Sequence, residues 1–408
     1  MARKMKDSGI EWIGEIPEGW EVGQIGQLYS ERRTKVSDKD YPPLSVTMKG
    51  ILPQLSTAAK TDAHDDRKLV CKGDFAINSR SDRRGSCGIS EQDGSISLIN
   101  TVLQPRGEMN PGYYNWLFHT SMFADEFYKW GHGIVDDLWT TGWSDMKKIG
   151  VPVPSKCEQK QLAEYLNVEC SHIDSILSKT RASIEEYKKL KQAVITQAVA
   201  TQQCSHIKLK YLMNVIVDCP HETPTYSFTG NYYVIRTADQ ALASLRCDED
   251  MYRLDASEYK KRTRRLTLDK DDIVYGREGE RWGLACIVPE SNKYCLGQRI
   301  MQFRCNTKFL YPKYAMYALN SEPVYLQGVA DTIGSTSPHV NISTICNYLL
   351  PVPALTEQKE IANHLDAKCA EIDGLIAKKE QLVKELESYK KSLIYEVVTG
   401  KREVQNYE

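Results

Sequence analysis

Residues 150–200 and 349–399 carry the same passage. The first begins GVPVPSKCEQKQLAEYLNVECSHIDSILSK and the second LPVPALTEQKEIANHLDAKCAEIDGLIAKK. Pro152 falls on Pro351, and the same offset of 199 residues carries Glu158-Gln159-Lys160 onto Glu357-Gln358-Lys359, Cys170 onto Cys369 and Ile173-Asp174 onto Ile372-Asp373. An internal repeat fixes the number of structural units before any local motif is weighed. Here it sets two, each about half the chain.

Each copy reads as an extended Pro-Val-Pro entry followed by a long helix. Proline fixes its own φ and drives its predecessor out of the α region, so helix begins after Pro154 and Pro353, with Ser155 and Thr356 as N-caps. Glu158 stands three residues after Ser155, the capping-box spacing. Apolar residues then recur at steps of three and four: Leu166, Ile173, Leu177, Ile184, Tyr187 and Val194 in the first copy, and Leu365, Ile372, Ile376, Val383, Leu386, Leu393 and Val397 in the second. That is a heptad-like stripe with Lys, Glu and Gln on the opposite face. About 40 helical residues span roughly 60 Å. A single narrow stripe wants a single partner helix, and the other copy supplies it.

The remaining composition sets limits. A chain of 408 residues with 41% hydrophobic and 26% charged residues is a globular protein large enough for two or three domains. Met1-Ala2-Arg3-Lys4-Met5-Lys6 is basic but no apolar stretch follows, so neither secretion nor a membrane span is expected. Twelve cysteines without a CxxC pair point to reduced thiols and a cytoplasmic setting rather than to a zinc ribbon or a disulfide framework. A formal net charge of −1 does not advertise nucleic-acid binding, which therefore has to be argued from local clusters.

Four segments follow: a first domain at 1–154, the first repeat helix at 155–203, a second domain at 204–353 and the second repeat helix at 354–402. The domains match more faintly than the helices. Asp74, Gly85 and Ile89 fall on Asp272, Gly283 and Ile287 at an offset of 198, while Pro111 and Tyr113 fall on Pro312 and Tyr314 at 201. Short apolar runs between turn residues, such as Gly73-Asp74-Phe75-Ala76-Ile77 and Ser95-Ile96-Ser97-Leu98-Ile99, read as strands. A helical patch over 113–130 precedes the Pro-Val-Pro strand. The expected class is α+β: two strand-rich domains in a pseudo-two-fold arrangement, separated by two long antiparallel coiled-coil helices.

The loops that differ between the domains hold the candidate contacts. In the first, Asn78-Ser79-Arg80-Ser81-Asp82-Arg83-Arg84-Gly85 follows a strand, and His132 with Trp139-Thr140-Thr141-Gly142-Trp143 precedes the repeat. In the second, Arg277 and Arg281 lie between Gly276 and Gly283, Gly334-Ser335-Thr336-Ser337-Pro338-His339-Val340-Asn341 precedes the repeat, and Lys260-Lys261-Arg262-Thr263-Arg264-Arg265 forms a basic run. An arginine fork fits guanine O6/N7 or phosphate, and an asparagine amide fits adenine. Arg80, Arg83, Arg84, His132, Thr140, Arg262, Arg264, Arg265, Arg277, Arg281, His339 and Asn341 are therefore the DNA-contact candidates. One charged loop alone is ordinary solvated surface; Arg-rich, Gly-flanked loops at corresponding positions of two domains are the stronger signal.

Catalytic signals are weak. Gly276 to Gly283 lacks the phosphate-loop pattern. Tyr41-Pro42-Pro43-Leu44 matches an amino-methyltransferase loop only superficially, because its first residue cannot accept from an amino group as that chemistry needs. Glu158-x-Lys160 and Glu357-x-Lys359 sit at helix starts, where capping and surface charge explain them better than nuclease chemistry. Cys219-Pro220-His221-Glu222 is too isolated for a metal site. Two readings remain, a DNA-recognition protein and a coiled-coil adaptor that binds only proteins.

The duplicated PVP…EQK…IA…L…ID…I helix, the SGIEWIGEIPEGWEV opening and the tandem-domain plan resemble the specificity subunit of type I restriction-modification systems, over essentially the whole chain. The resemblance implies two target recognition domains, each reading half of a bipartite, asymmetric DNA site, with the helices as spacer. It also implies that the chain has no catalytic site or cofactor of its own. Two methyltransferase subunits would supply S-adenosylmethionine-dependent adenine N6 methylation, and restriction subunits would supply ATP- and Mg-dependent translocation and cleavage. Base contacts vary with specificity in such a family, so no individual contact transfers.

Overall fold

A computed structural model describes residues 3–54, 65–80, 83–133, 139–200, 204–246, 248–332 and 338–404. The chain forms two compact units, one of Met1–Thr180 with Leu382–Glu408 and one of Arg181–Gln381. Each long helix changes unit part-way along, so each unit holds a segment of both.

In the first unit β1 (Tyr29–Glu31), β2 (Phe75–Asn78), β3 (Cys87–Ile89) and β4 (Asn100–Pro105) form an antiparallel sheet of order β3-β2-β4-β1. In the second, β5 (Met213–Asp218), β6 (Ile273–Gly276), β7 (Ala285–Ile287) and β8 (Ile300–Cys305) repeat it as β7-β6-β8-β5. Register follows the repeat: Phe75 faces Leu103 and Ile273 faces Phe303. The Pro-Val-Pro segments are strands too. Gly150–Val153 pairs with Glu21–Gln24, and Leu349–Val352 with Ser205–Lys208.

The second sheets diverge. Lys35–Val36, Arg67–Val70 and Gly94–Ile96 pair antiparallel, whereas Tyr232–Ile235 pairs antiparallel with Tyr252–Leu254 and parallel with Tyr294–Leu296. That rearrangement is why the sequence match fades there.

Where the match holds, it marks internal chemistry. Buried Asp74 takes Arg32 at 2.6 and 3.1 Å and the Cys71 amide at 2.9 Å; buried Asp272 takes Arg304 at 2.8 Å and the Asp269 amide at 2.8 Å. The arginine comes from just past β1 in the first unit and from within β8 in the second, while the aspartate keeps its place. Burial alone would make either carboxylate costly, and the bidentate fork offsets that cost. The helical patch at 113–130 is two helices, Pro111–Phe118 and Ser121–Lys129, because the Thr120 hydroxyl caps the second by accepting the Phe123 amide at 3.2 Å.

The first long helix runs Lys156–Val199, with the Glu158 amide donating to Ser155 Oγ at 3.3 Å. Its twin runs Leu355–Val398, so Thr356 lies inside the helix and is not its cap. The repeated glutamines do more at this end. Buried Gln159 accepts the Asn110 amide and donates to Pro154 O, both at 2.8 Å. Buried Gln358 accepts the Tyr311 amide at 2.8 Å and donates to Pro353 O and Phe309 O at 2.9 Å. Each thereby ties a long helix to the start of the Pro111 or Pro312 helix.

Within each unit the two helix segments run antiparallel. Asp174 meets Lys390 and Tyr165 interacts with Arg402 in the first; Lys191 meets Asp373 and the Lys379 ammonium lies 5.7 Å from the Tyr187 ring in the second. Leu166, Ile173, Leu177, Ile184, Leu365, Ile372 and Leu393 are buried, as the stripe requires. Ile376, Val383 and Leu386 are half-buried. The stripe also has polar members: Thr180 and Lys191 are buried, and Ile195 takes the fully buried place near the end that Val194 was expected to fill.

The chain's last turn closes the first unit. Gly400, at φ 70°, packs on Trp20 and Pro17, where a Cβ would come within 2.5 Å of the Pro17 ring. A left-handed glycine just past the helix is the usual stop.

Candidate nucleic-acid interface

At the end of β2 the chain turns outward and Arg80 forms a β-bridge to Thr140. Thr140 in turn exchanges backbone hydrogen bonds with His132 at 2.9 and 3.0 Å. Next to it, buried Thr141 donates its amide to Ser79 O at 3.0 Å and its hydroxyl to Phe127 O at 2.8 Å. The Tyr128 hydroxyl donates to Arg80 O at 2.5 Å, and its ring lies 4.8 Å beneath the Arg84 guanidinium, which also pairs with Asp125 at 3.0 Å. The Arg83 amide donates to Arg80 O at 3.3 Å. Arg80, Arg83, Arg84, His132 and Thr140 are thus gathered on one exposed surface. Sequence placed them in two loops 50 residues apart; the bridge joins those loops. Trp139 and Trp143 are partly buried, and the Trp139 indole donates to Tyr128 O at 2.8 Å.

The second unit builds the same backbone cradle with other side chains. Glu278 bridges His339, the Gly279 amide donates to Pro338 O at 2.9 Å, and the Val340 amide donates to Arg277 O at 3.2 Å. Glu278 occupies the place of Arg80, and His339 that of Thr140. Exposed Asn341 opens the short helix Ile342–Cys346, with no side-chain cap bond. Ser81, Asp82 and the 334–337 stretch lie outside the described residues.

Two candidates are corrected. Arg262 is buried: its guanidinium donates to Leu296 O at 2.9 and 3.0 Å and to Glu222 O at 3.0 Å. Arg277 is buried between Asp218 at 3.5 Å and Glu278 at 2.5 Å. A planar fork inside a protein is costly unless acceptors surround it; Arg262 meets that demand in full with backbone carbonyls, whereas Arg277 meets it through its ion pairs with Glu278 and Asp218 while its buried Nε makes no hydrogen bond. Arg281 is exposed but donates to Ala238 O and Gln240 O at 2.9 and 3.1 Å. Arg264 and Arg265 are exposed on the segment after the Ala256–Arg262 helix.

A repeated aromatic went unread in the sequence. Tyr128 corresponds to Tyr325, which stacks on Trp282 at 4.4 Å where Tyr128 carries Arg84. The offset of 197 residues was legible, but the partners on each ring were not.

Among the described residues, no group of three or more His, Cys, Asp and Glu side chains could hold a metal ion, and no helix is long and apolar enough to cross a membrane. His221, singled out beside Cys219, pairs with Asp218 at 3.1 Å.

Residues 219–385 match the type I restriction modification DNA specificity domain. Along nearly its whole length the chain is similar to the MjaVIII type I restriction enzyme specificity subunit of Methanocaldococcus jannaschii, at 22% identity over 96% of this chain and 95% of that one. The EcoBI specificity subunit of Escherichia coli is 29% identical over 32% of this chain and 27% of its own length. Among solved structures, a chain from a type I restriction-modification system, described for complex assembly and conformational transition, shares the fold with a TM-score of 0.72 at 12% identity, covering 95% of this chain and 99% of that one. The HsdS subunit of Thermoanaerobacter tengcongensis gives 0.52 at 15% identity, over 95% and 98%. Two repeated strand-rich units, two repeated long helices and a DNA specificity domain match over residues 219–385 point the same way: along nearly its whole length the chain is similar to the specificity subunits of type I restriction-modification systems.

Proposed function

We propose that each unit reads one half of a bipartite, asymmetric DNA site, and that the paired helices set the number of unread base pairs and dock two methyltransferase subunits. The observation that carries this reading is the repeated cradle. One backbone bridge presents Arg80 and Thr140 in the first unit and Glu278 and His339 in the second. A shared frame with unlike side chains suits the reading of two unlike sequences, since base edges are distinguished by donor and acceptor pattern. Exposed arginines and lysines around the cradles would fix register on the phosphates.

The chemistry belongs to partners in this reading. S-adenosylmethionine would be bound by adenine N6-methyltransferase subunits, and ATP and Mg by restriction subunits, all in the cytoplasm. The target adenine would leave the stack within the methyltransferase after this chain has set the register.

Long-read mapping of methylated adenines, in cells carrying this chain with its neighbouring methyltransferase and in cells lacking the chain, tests it. A bipartite motif that depends on the chain is expected, and exchanging either unit's cradle loops rewrites one half only. An active methyltransferase complex with no chain-dependent motif overturns the reading.

A further inference from the structure

Phe228 is the most exposed large apolar side chain among the described residues, at 103% of its reference area. A phenylalanine left wholly in water contributes nothing to the fold, and a pliable loop would fold it back onto the body. This loop cannot. Glu222 O accepts from Arg262 at 3.0 Å, Thr223 Oγ1 accepts from Gln298 at 3.3 Å, and the Ser227 amide donates to Arg253 O at 2.9 Å. Gly230 then lies so close to the strand Tyr252–Leu254 that a Cβ would stand 2.1 Å from Leu254 O. The loop is therefore pinned by hydrogen bonds before the ring and packed closely against the neighbouring strand just after it.

The base of the Phe228 loop is tied to a basic run. The Glu222 carboxylate pairs with Lys261 at 2.7 Å, which fastens the base of the loop to the basic run, and Lys260, Arg264 and Arg265 of that run are exposed. Tyr226 and Tyr252, edge to face at 4.6 Å, are half exposed beside the Ser227–Arg253 bridge, with the Arg236 guanidinium 3.8 Å over Tyr252. An exposed apolar ring on a loop whose base is fastened to exposed cations suits a polyanion whose interior is stacked and apolar.

Resting on the DNA-reading function above, we propose that Phe228 is an apolar wedge that enters a base step of the half-site read by the second unit, while Lys260, Arg264 and Arg265 hold the flanking phosphates. Side chains inserted in this way partly unstack the step and bend the duplex. Arg262, an internal anchor of the loop, then acts on DNA only through Phe228.

The test uses the full chain assembled with its methyltransferase, on duplexes carrying the motif mapped in cells and 2-aminopurine at successive positions. Wild type is expected to brighten the probe at the methylated adenine and, separately, at one step of the second half-site. In Phe228→Ala the second signal disappears, the signal at the adenine persists, and affinity falls about tenfold or more. Phe228→Leu retains part of both. Unchanged signals and affinity in Phe228→Ala overturn the wedge while leaving DNA reading intact. Loss of methyltransferase co-purification in Phe228→Ala also overturns it, and marks the ring as a protein contact. If the wild-type assembly shows no motif-selective affinity, the underlying reading fails as well.

Discussion

Lys191 Nζ lies 2.8 Å from Asp373 Oδ2, and the same pair recurs with its roles exchanged: Lys390, 199 residues after Lys191, lies 2.6 Å from Asp174, 199 residues before Asp373. The two copies of the repeat thus supply one acid and one base each, and each unit contains one cross-helix pair.

The pairs differ in burial, which separates their energetics. Lys191 is 6% exposed and also donates to Leu242 O at 2.8 Å, whereas Lys390 is 24% exposed. Lys191→Met is expected to cost about 1–2 kcal/mol, because it leaves the Leu242 carbonyl without its buried donor and half-exposed Asp373 without its partner. Lys390→Met should cost under about 1 kcal/mol, the range of exposed pairs. Denaturant unfolding of the two variants checks the order; an equal cost would mean that burial does not set it.

A second comparison concerns the EQK triplets. Gln159→Ala and Gln358→Ala each leave buried donors and acceptors unmatched and should cost about 2–3 kcal/mol. Lys160→Ala and Lys359→Ala, at neighbouring exposed positions, should fall within about 0.5 kcal/mol of wild type. Thermal unfolding of the four variants settles whether the triplet is kept for its middle residue.

DNA binding separates the arginines by exposure. Arg80→Ala, Arg264→Ala or Arg265→Ala is expected to leave the melting temperature unchanged and to reduce the slope of log affinity against log salt by about one if the residue meets a phosphate. Arg262→Ala and Arg277→Ala should lower the melting temperature first. Salt titrations of the assembled complex beside melting curves distinguish the two groups.

Alkaline stability follows from the buried thiols. Burial pushes Cys286, Cys295 and Cys305 up to about 12. A raised acid keeps its proton in the folded state while the unfolded chain loses it, so stability is full below the unfolded thiol value near 8.5 and declines as pH rises from there toward 12. Each thiol contributes a slope of up to about 1.4 kcal/mol per pH unit in that window. Replacing Cys286 by Ala should flatten the decline measured by urea unfolding between pH 8 and 10. Thiol reagents at pH 8 should find exposed Cys157 quickly and these three only on unfolding.

Much of this architecture could be read from the repeat, because helix period and proline placement are local properties. The 199-residue offset located both long helices and both Pro-Val-Pro strands, and Leu166, Ile173, Leu365 and Ile372 lie buried as the stripe requires. The site was less legible. Arg262 and Arg264 stand two residues apart in one basic run, yet one is buried against Leu296 O and the other is exposed. Composition cannot separate them, since the acceptors around Arg262 are backbone carbonyls 34 and 40 residues away. Thr356 failed as a cap for a related reason: Gln358, bonded to Phe309 O and the Tyr311 amide, secures that helix start through tertiary contacts.

If the paired helices are the ruler of the recognised site, their length should be separable from what the cradles read. A helix accepts four added residues with little change of face, because 3.6 residues complete a turn, and each addition extends it by about 6 Å. Inserting four residues after Ser178, near the point where the first helix passes from one unit to the other at Thr180, adds that length without touching β2, β6 or either bridge. Methylated-adenine mapping of the insertion variant should therefore return both original half-sites with a longer unread gap, by about two base pairs at the axial rise of duplex DNA. An unchanged gap in a folded, active assembly would remove the helices from the measurement of distance and leave spacing to the partner subunits. Altered half-sites at constant gap would instead show that the helix pair orients the cradles themselves.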